Sequence, residues 1–263
     1  IGSVLVRLGS VEAAMEAYEK AVHFAPRAGR NHSNLGLMRF RVGKYEEALD
    51  RFREAVRLDA ELTDARFNLA MALYHLNRMD EAMRHLAMLT RLDPEDAPAQ
   101  FLFGRALLAQ GSEQAAGARF EKDWRLAPGN AEYASAAAVS AHKRGDTAEA
   151  IRRLRESLAR NPHSLEILNN LAWMLATGEG LDATARRESV ALAERAIGSG
   201  GAGDPNTLDT LAVASAASGD LARAVEAEEA AVRLAQRAGQ TELEARFRQR
   251  LEQFRKAAEA QRN

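Results

Sequence analysis

The chain has 263 residues, 46% apolar and 28% charged, enough to bury a substantial core as one or two domains. Its 36 basic and 37 acidic residues nearly cancel, so no global field favours nucleic acid or an anionic membrane. Cysteine is absent, which excludes disulfide and thiolate chemistry, and no apolar run is long enough for direct membrane insertion. Abundant alanine, leucine, arginine and glutamate favour helix over sheet.

Landmark residues recur every 34 positions along the chain. Small residues form one series: Gly2, Gly36, Ala70, Gly104, Ala138 and Ala172. Alanines form a second: Ala14, Ala48, Ala82, Ala116 and Ala150. A large residue follows each of these alanines four positions later: Tyr18, Phe52, Leu86, Phe120 and Leu154. Turn residues lie between the two halves of a unit, at Gly9, Gly43, Asn77, Gly111 and Gly145. Prolines end four units, at Pro26, Pro94, Pro128 and Pro162.

Each unit has the pattern of a helical hairpin. Apolar residues fall at three- and four-residue spacings on both sides of the turn residue, as in "LDRFREAVRL", residues 49–58. The glycine or asparagine allows the first helix to end with a positive φ, and proline cannot continue the second. One hairpin cannot bury its apolar face alone, so neighbouring hairpins must stack.

In chain order, the first unit is truncated, because Ile1 already corresponds to repeat position 7. Complete units follow at 29–62, 63–96, 97–130 and 131–164. The sixth begins at Leu165, has an enlarged loop over 178–182, and its second helix comes about five residues late. The seventh begins at Asp204-Pro205, a helix-start pattern. We predict an array of about seven repeats over 1–236.

The last segment, 237–263, is predicted to be a C-terminal capping helix. Thr241 and Glu244 have the spacing of a capping box at its start. Its apolar stripe consists of Leu243, Phe247, Leu251 and Phe254. The opposite face is strongly charged, as expected where a helix covers the last repeat and faces water.

The 34-residue spacing, with a small residue at position 8, alanine at 20, a large residue at 24 and proline at 32, resembles the tetratricopeptide repeat (TPR) of bacterial TPR proteins. The resemblance implies an all-α fold, a right-handed superhelical solenoid of antiparallel helix pairs. It also implies that positions 2, 5, 6, 9, 12 and 13 of each first helix line a concave face. Some members of the family hold peptides there with a ladder of asparagines.

These concave positions contain amide, aromatic and basic side chains. Asparagine can pair with the backbone of an extended peptide, and large apolar groups on a solvent-lined groove indicate an interaction surface. The predicted partner-binding residues are Asn34, Phe40, Arg41, Phe67, Asn68, Met71, Tyr74, Phe101, Arg105, Asn170 and Trp173. The alternative for the large apolar groups is a place in the core between repeats. The family's carboxylate clamp is not reproduced, because Ser33 and Leu37 occupy two of its positions.

Catalytic, metal and cofactor sites are not predicted. No two histidines are four residues apart, so no helical metal pair exists. "GSGGAG", residues 198–203, matches a dinucleotide-binding pattern, but a helix rather than a strand precedes it, which favours a flexible linker. Asp123 lies where other repeats have alanine, leucine or serine. It is expected either to turn to the edge or pair with an arginine, or to alter the superhelical pitch.

The leading hypothesis is a non-enzymatic scaffold that binds a protein or peptide segment on its concave face. One alternative is the non-catalytic repeat region of a larger enzyme or membrane protein, because "NNLAWMLAT" and the last repeat also resemble bacterial proteins, some fused to glycosyltransferases. Another is a homo-oligomer formed through an apolar end around Val4, Leu5 and Leu8. The composition is typical of a high-GC bacterium, and both cytoplasm and periplasm are compatible with it.

Overall fold

A computed structural model describes residues 10–262 of the chain, and all regular structure in that range is helical. The helices are α1 (Val11–Phe24), α2 (Gly29–Arg41), α3 (Tyr45–Leu58), α4 (Thr63–His75), α5 (Met79–Leu92), α6 (Ala97–Ala109), α7 (Glu113–Leu126), α8 (Ala131–Lys143), α9 (Thr147–Arg160), α10 (Leu165–Thr177), α11 (Ala183–Gly198), α12 (Pro205–Ala217), α13 (Leu221–Arg237) and α14 (Thr241–Arg262). The predicted all-α class is confirmed. The predicted apolar end around Val4, Leu5 and Leu8 lies outside the described residues.

The described residues form two compact units that divide between Leu126 and Ala127. In each unit every helix packs against the next one along the chain, and the first helices of successive repeats also contact each other. The first unit contains α1 to α7 and the second contains α8 to α14. The predicted division at residue 236 into an array and a cap stays a prediction.

The turns between paired helices follow the sequence pattern. The first helix ends before a residue of positive φ at Gly43 (78°), Asn77 (58°), Gly111 (78°) and Gly145 (87°). The sixth repeat has its longer loop between α10 and α11, and Asp182 caps α11 by accepting from the Ala185 N–H at 2.8 Å. Asp204 and Pro205 begin α12 as predicted.

Paired helices approach each other closely because position 8 is small. A Cβ added to Gly36 would lie 2.8 Å from the Phe52 ring, and one on Gly104 would lie 2.6 Å from the Phe120 ring. Both phenylalanines occupy position 24. Where position 8 is alanine, as at Ala70, position 24 is the smaller Leu86. The two positions therefore share one space between the helices.

Asp123 does not turn to the edge, so that part of the prediction was wrong. Its side chain is fully buried and neither carboxyl oxygen has a hydrogen-bond partner among the described residues. The Arg119 guanidinium lies over the Phe103 ring, 3.8 Å from its centroid, instead of forming an ion pair with Asp123. Burial raises the pKa of Asp123 to about 7, against the opposing charges of Arg119 and Lys122.

Helix α14 packs its apolar face against α13. Phe247 is fully buried and Leu251 nearly so, in a cluster with three residues of α13: Ala231, Val232 and Ala235. Thr241 is the first helical residue rather than the residue before the helix, and Glu244 pairs with Arg248 at 2.7 Å. The prediction that Thr241 and Glu244 form a capping box was therefore wrong.

A buried carboxyl pair lies beneath α14. Glu228 of α13 occupies position 24, which is apolar in the other units that keep the 34-residue register, and it is fully buried. Asp209 of α12 is also buried and forms an ion pair with Arg250 of α14. Burial and the nearby Asp209 carboxylate raise the pKa of Glu228 to about 8. Glu228 thus keeps its proton at neutral pH beside the Asp209–Arg250 ion pair, between α12, α13 and α14.

We predict that Gly36→Ala lowers the free energy of unfolding by about 1–2 kcal/mol, because overpacking against Phe52 exceeds the gain in helix propensity. In a Phe52→Leu background the same alanine is expected to cost less, since leucine leaves room for its methyl group. Urea unfolding of the two single variants and the double variant measures this coupling. Ala70→Gly beside Leu86 is the matched comparison, with a loss of about 1 kcal/mol from helix propensity and a further loss from the buried methyl group. If the changes in unfolding free energy caused by Gly36→Ala and Phe52→Leu were strictly additive, the two positions would not share one space.

We predict that stability falls as pH rises from about 4.5 to about 8, because folded Glu228 keeps a proton that the unfolded chain releases above its ordinary pKa of 4.5. Glu228→Gln stays neutral and should remove part of this slope, leaving the variant about 2–4 kcal/mol more stable than wild type at pH 8 and nearly equal at pH 5. Urea unfolding at several pH values checks both statements. Asp123→Asn is the comparison variant, because burial also raises the pKa of Asp123, so its ionisation lowers stability as pH rises in the same way. An unchanged slope in Glu228→Gln would show that Glu228 ionises normally.

Candidate functional site

A groove of about 490 Å³ opens between α2 and α4 in the first unit. We call it the α2–α4 groove. It is lined by Arg30, Ser33, Asn34, Leu37, Glu61, Leu62, Thr63, Asp64, Ala65, Phe67 and Asn68. Three of the predicted residues, Asn34, Phe67 and Asn68, therefore come together. Asn34 is exposed, whereas Phe67 and Asn68 are half-buried. The groove combines apolar side chains with amides that can pair with a peptide backbone.

The base of this groove is held by close backbone packing. Gly29, the first residue of α2, has no room for a Cβ, which would lie 3.0 Å from the Ala55 carbonyl oxygen and 3.1 Å from Leu62 Cδ1. The Leu62 side chain is thereby fixed under the start of α2. Phe67 packs from α4 against the apolar core of the first unit. The apolar surface of the groove is therefore an extension of the core.

A repeated hydrogen bond fixes the turns on which the groove depends. The residue at position 4 bonds the carbonyl oxygen six residues earlier in three successive repeats. His32 Nε2 lies 2.8 Å from Pro26 O, Arg66 Nη2 donates to Ala60 O at 2.7 Å, and Gln100 Nε2 donates to Pro94 O at 3.1 Å. All three side chains are buried. These bonds satisfy turn carbonyls, and Pro94 O also accepts from Lys122 Nζ.

Aromatic side chains gather where α2 and α4 end. The rings of Tyr45 and His75 stack with centroids 5.0 Å apart, and Phe40 meets both edge-on at 5.0 and 5.1 Å. Tyr74 contacts His75 edge-on, and the Arg105 guanidinium lies 5.1 Å from the Tyr74 centroid. Such contacts pack rings while leaving part of each accessible, since Phe40, Tyr45 and Tyr74 are half-buried.

The remaining predicted residues of the first unit differ in accessibility. Met71 is half-buried on α4, and Arg41 is exposed at the end of α2. Phe101 is buried, and its ring lies 5.5 Å from that of Phe120. We therefore assign Phe101 to the helix-pair interior and not to the contact surface.

Asn170 and Trp173 lie on α10 in the second unit, and both are half-buried. The Arg250 guanidinium lies 5.1 Å from the Trp173 ring centroid. A shallow groove of about 330 Å³ surrounds this contact. Its lining comprises Trp173, Ala176, Thr177, Val213, Ala216, Ala217, Arg250, Gln253 and Phe254. Helix α14 thus covers part of the face that Trp173 was predicted to offer to a partner.

The glycine-rich segment does not have the context of a nucleotide site. Helix α11 precedes it, a single turn of 3-10 helix covers Gly201–Gly203, and α12 follows. A Cβ on Gly201 would lie 2.7 Å from both Leu165 Cδ1 and Thr207 Cγ2, so the segment is anchored at this residue, whereas a Cβ on Gly198, Gly200 or Gly203 would meet nothing within 4 Å. The flexible linker stays a prediction. Within residues 10–262, no three histidine or acidic side chains are grouped to hold a metal ion. No described helix has the length and apolar character needed to span a bilayer.

Several residues of these surfaces were not predicted from the sequence. Arg30 occupies position 2, one of the concave positions, which could have suggested it. Glu61 and Leu62 lie in the turn before α4, and Leu62 packs closely against Gly29. Arg250 contacts Trp173 across many intervening residues, and no local pattern indicates that pairing.

Comparison with solved structures supports the same architecture. A tetratricopeptide repeat protein from Parabacteroides merdae is 17% identical and aligns with a TM-score of 0.69 over 94% of this chain and 95% of that one. PilF of Pseudomonas aeruginosa is 17% identical, with a TM-score of 0.67 over 85% of this chain and 97% of its own. YrrB, described as a TPR protein with an unusual peptide-binding site, is 24% identical, with a TM-score of 0.53 over 64% of this chain and 86% of its own. At these identities the likeness shows the fold alone.

Sequence models of the tetratricopeptide repeat match three segments, residues 1–27, 39–100 and 135–202, which together cover more than half of the chain. Comparison with curated proteins gives no match. The matched segments have the same 34-residue period that produces the paired helices. The chain belongs to the tetratricopeptide repeat family.

Proposed function

We propose that this chain is a non-enzymatic scaffold that binds an extended segment of a protein partner in the α2–α4 groove. The observation that carries the proposal is the meeting of Leu37 and Phe67, both half-buried, with the amides of Asn34 and Asn68 in one groove. Apolar groups supply affinity and the amides can pair with a backbone whatever its side chains. The described peptide-binding site of YrrB agrees with this use of a TPR array.

The energetics of such binding are adequate. Burying a large apolar side chain contributes about 1.5–3 kcal/mol, and micromolar affinity requires about 8 kcal/mol. A segment that covers Leu37, Phe67 and part of Tyr74 therefore reaches useful affinity after the costs of association only if its backbone also pairs with the amides. The half-exposed aromatic cluster around Phe40 and Tyr74 gives the segment a second contact.

We propose in addition that α14 closes the array. Burial of Phe247 and Leu251 on α13 supports this role, as do the exposed charges of Arg248 and Glu252 on the other faces of the helix. A terminal repeat without such a cover would expose its apolar face to water.

The test is selection of peptides from a displayed random library on the immobilised chain, followed by titration. We expect Phe67→Ala to weaken the selected peptides at least tenfold, and Phe67→Ala with Tyr74→Ala to weaken them further, because each change removes buried apolar area. Helicity by circular dichroism should stay unchanged.

Phe24→Ala is the matched control, because Phe24 is 83% exposed in the same unit and lies outside the groove. It should leave affinity unaltered. Selected peptides that bind the Phe67→Ala variant as tightly as wild type, or that depend on Phe24 instead, would reject the groove as the binding site.

A further inference from the structure

The two sides of the α2–α4 groove carry opposite charges. Arg30 lies on the first turn of α2, whereas Asp64 lies on the first turn of α4 and Glu61 in the turn before it. All three side chains are exposed. None of them forms an ion pair with another residue in the described part of the chain. The groove lining therefore carries one unpaired cation on α2 and two unpaired anions at the start of α4.

Several other charged groups of this unit, unlike the three that line the groove, are paired within the chain: Arg39 pairs with Glu19 and Glu47, and Arg53 pairs with Glu81. Pairing within the protein leaves a side chain little capacity to attract a partner, whereas an unpaired exposed charge keeps that capacity. The charges available for recognition in this groove are thus Arg30 on one side and Glu61 with Asp64 on the other.

The separation of the two sides sets a spacing for the ligand. Helices α2 and α4 contact each other, and packed helices have axes ~8–10 Å apart. A segment in the polyproline II conformation rises ~3.1 Å per residue and presents residues i and i+3 on the same face, roughly 9 Å apart. Side chains three residues apart in such a segment can therefore reach both sides at once.

We propose that the groove selects a segment that carries an acidic residue and a basic residue three positions apart on one face. The acidic side chain pairs with Arg30 and the basic one with Asp64 and Glu61, while apolar side chains elsewhere in the segment contact Leu37 and Phe67. This inference rests on the proposed function, and it adds the chemical class of the partner. A segment with two like charges meets one attractive and one repulsive side.

The probes are four short leucine-containing peptides, capped at both ends and identical except at two positions three residues apart. These positions carry glutamate and lysine, two glutamates, two lysines or two glutamines. At low salt we expect the mixed peptide to bind wild type about three- to tenfold more tightly than each of the others, since exposed charge pairs contribute modestly. The preference should shrink as salt is raised.

Charge-reversal variants test the assignment of each side. Arg30→Glu makes the groove wholly acidic and should shift the preference to the two-lysine peptide. Glu61→Arg with Asp64→Arg makes it wholly basic and should shift the preference to the two-glutamate peptide. Arg27→Glu and Glu95→Arg are the matched controls, because both side chains are exposed and lie outside the groove lining. Both controls should keep the wild-type preference.

The outcomes separate this inference from the proposed function. Equal binding of all four peptides, each weakened by Phe67→Ala, would overturn the charge selection and leave segment binding in place. A preference that survives Arg30→Glu, or that the controls also change, would overturn it as well. No measurable binding by any of the four peptides would overturn it too, and the library selection would then decide the proposed function independently.

Discussion

The close approach of the two helices in each repeat is the constraint on which the rest of the structure depends. Gly36 and Gly104 lie against phenylalanine rings, and no Cβ fits at either position without a shift. Because the two helices of each repeat pack closely, the first helices of successive repeats also contact each other, as α2 and α4 do. The α2–α4 groove is the space that remains between two helices placed in this way.

This constraint explains why the groove is both apolar and polar. The core of the first unit reaches the surface at Leu37 and Phe67, which pack against it while staying half-exposed. Asn34 and Asn68 each lie one helical turn or less from those residues, so amides line the same opening. A binding surface of this type needs no separate scaffold, because the packing that stabilises the repeats also positions its side chains.

The fold could be predicted from the sequence because its determinants are local and repeated. The turn residues Gly43 and Asn77, and the small and large residues 16 positions apart, appear in the printed sequence at fixed spacing. Side-chain accessibility could not be predicted to the same extent. Phe101 has the same repeat position as Phe67, but it meets the Phe120 ring and is buried. Spacing marked Asp123 as an acid at a core position but did not show that it stays buried without a hydrogen-bond partner, and it gave no sign of the contact of Arg250 with Trp173.

The hydrogen bonds at position 4 show how different side chains can perform one structural task. Histidine, arginine and glutamine each reach a carbonyl oxygen six residues back, at Pro26, Ala60 and Pro94. The position requires a side chain long enough to donate a hydrogen bond to that carbonyl oxygen, and several residue types meet this requirement. A profile built from residue frequencies will give such a position little weight, although its geometry recurs from repeat to repeat. Searches for related chains would gain from scoring donor capacity at this place instead of similarity.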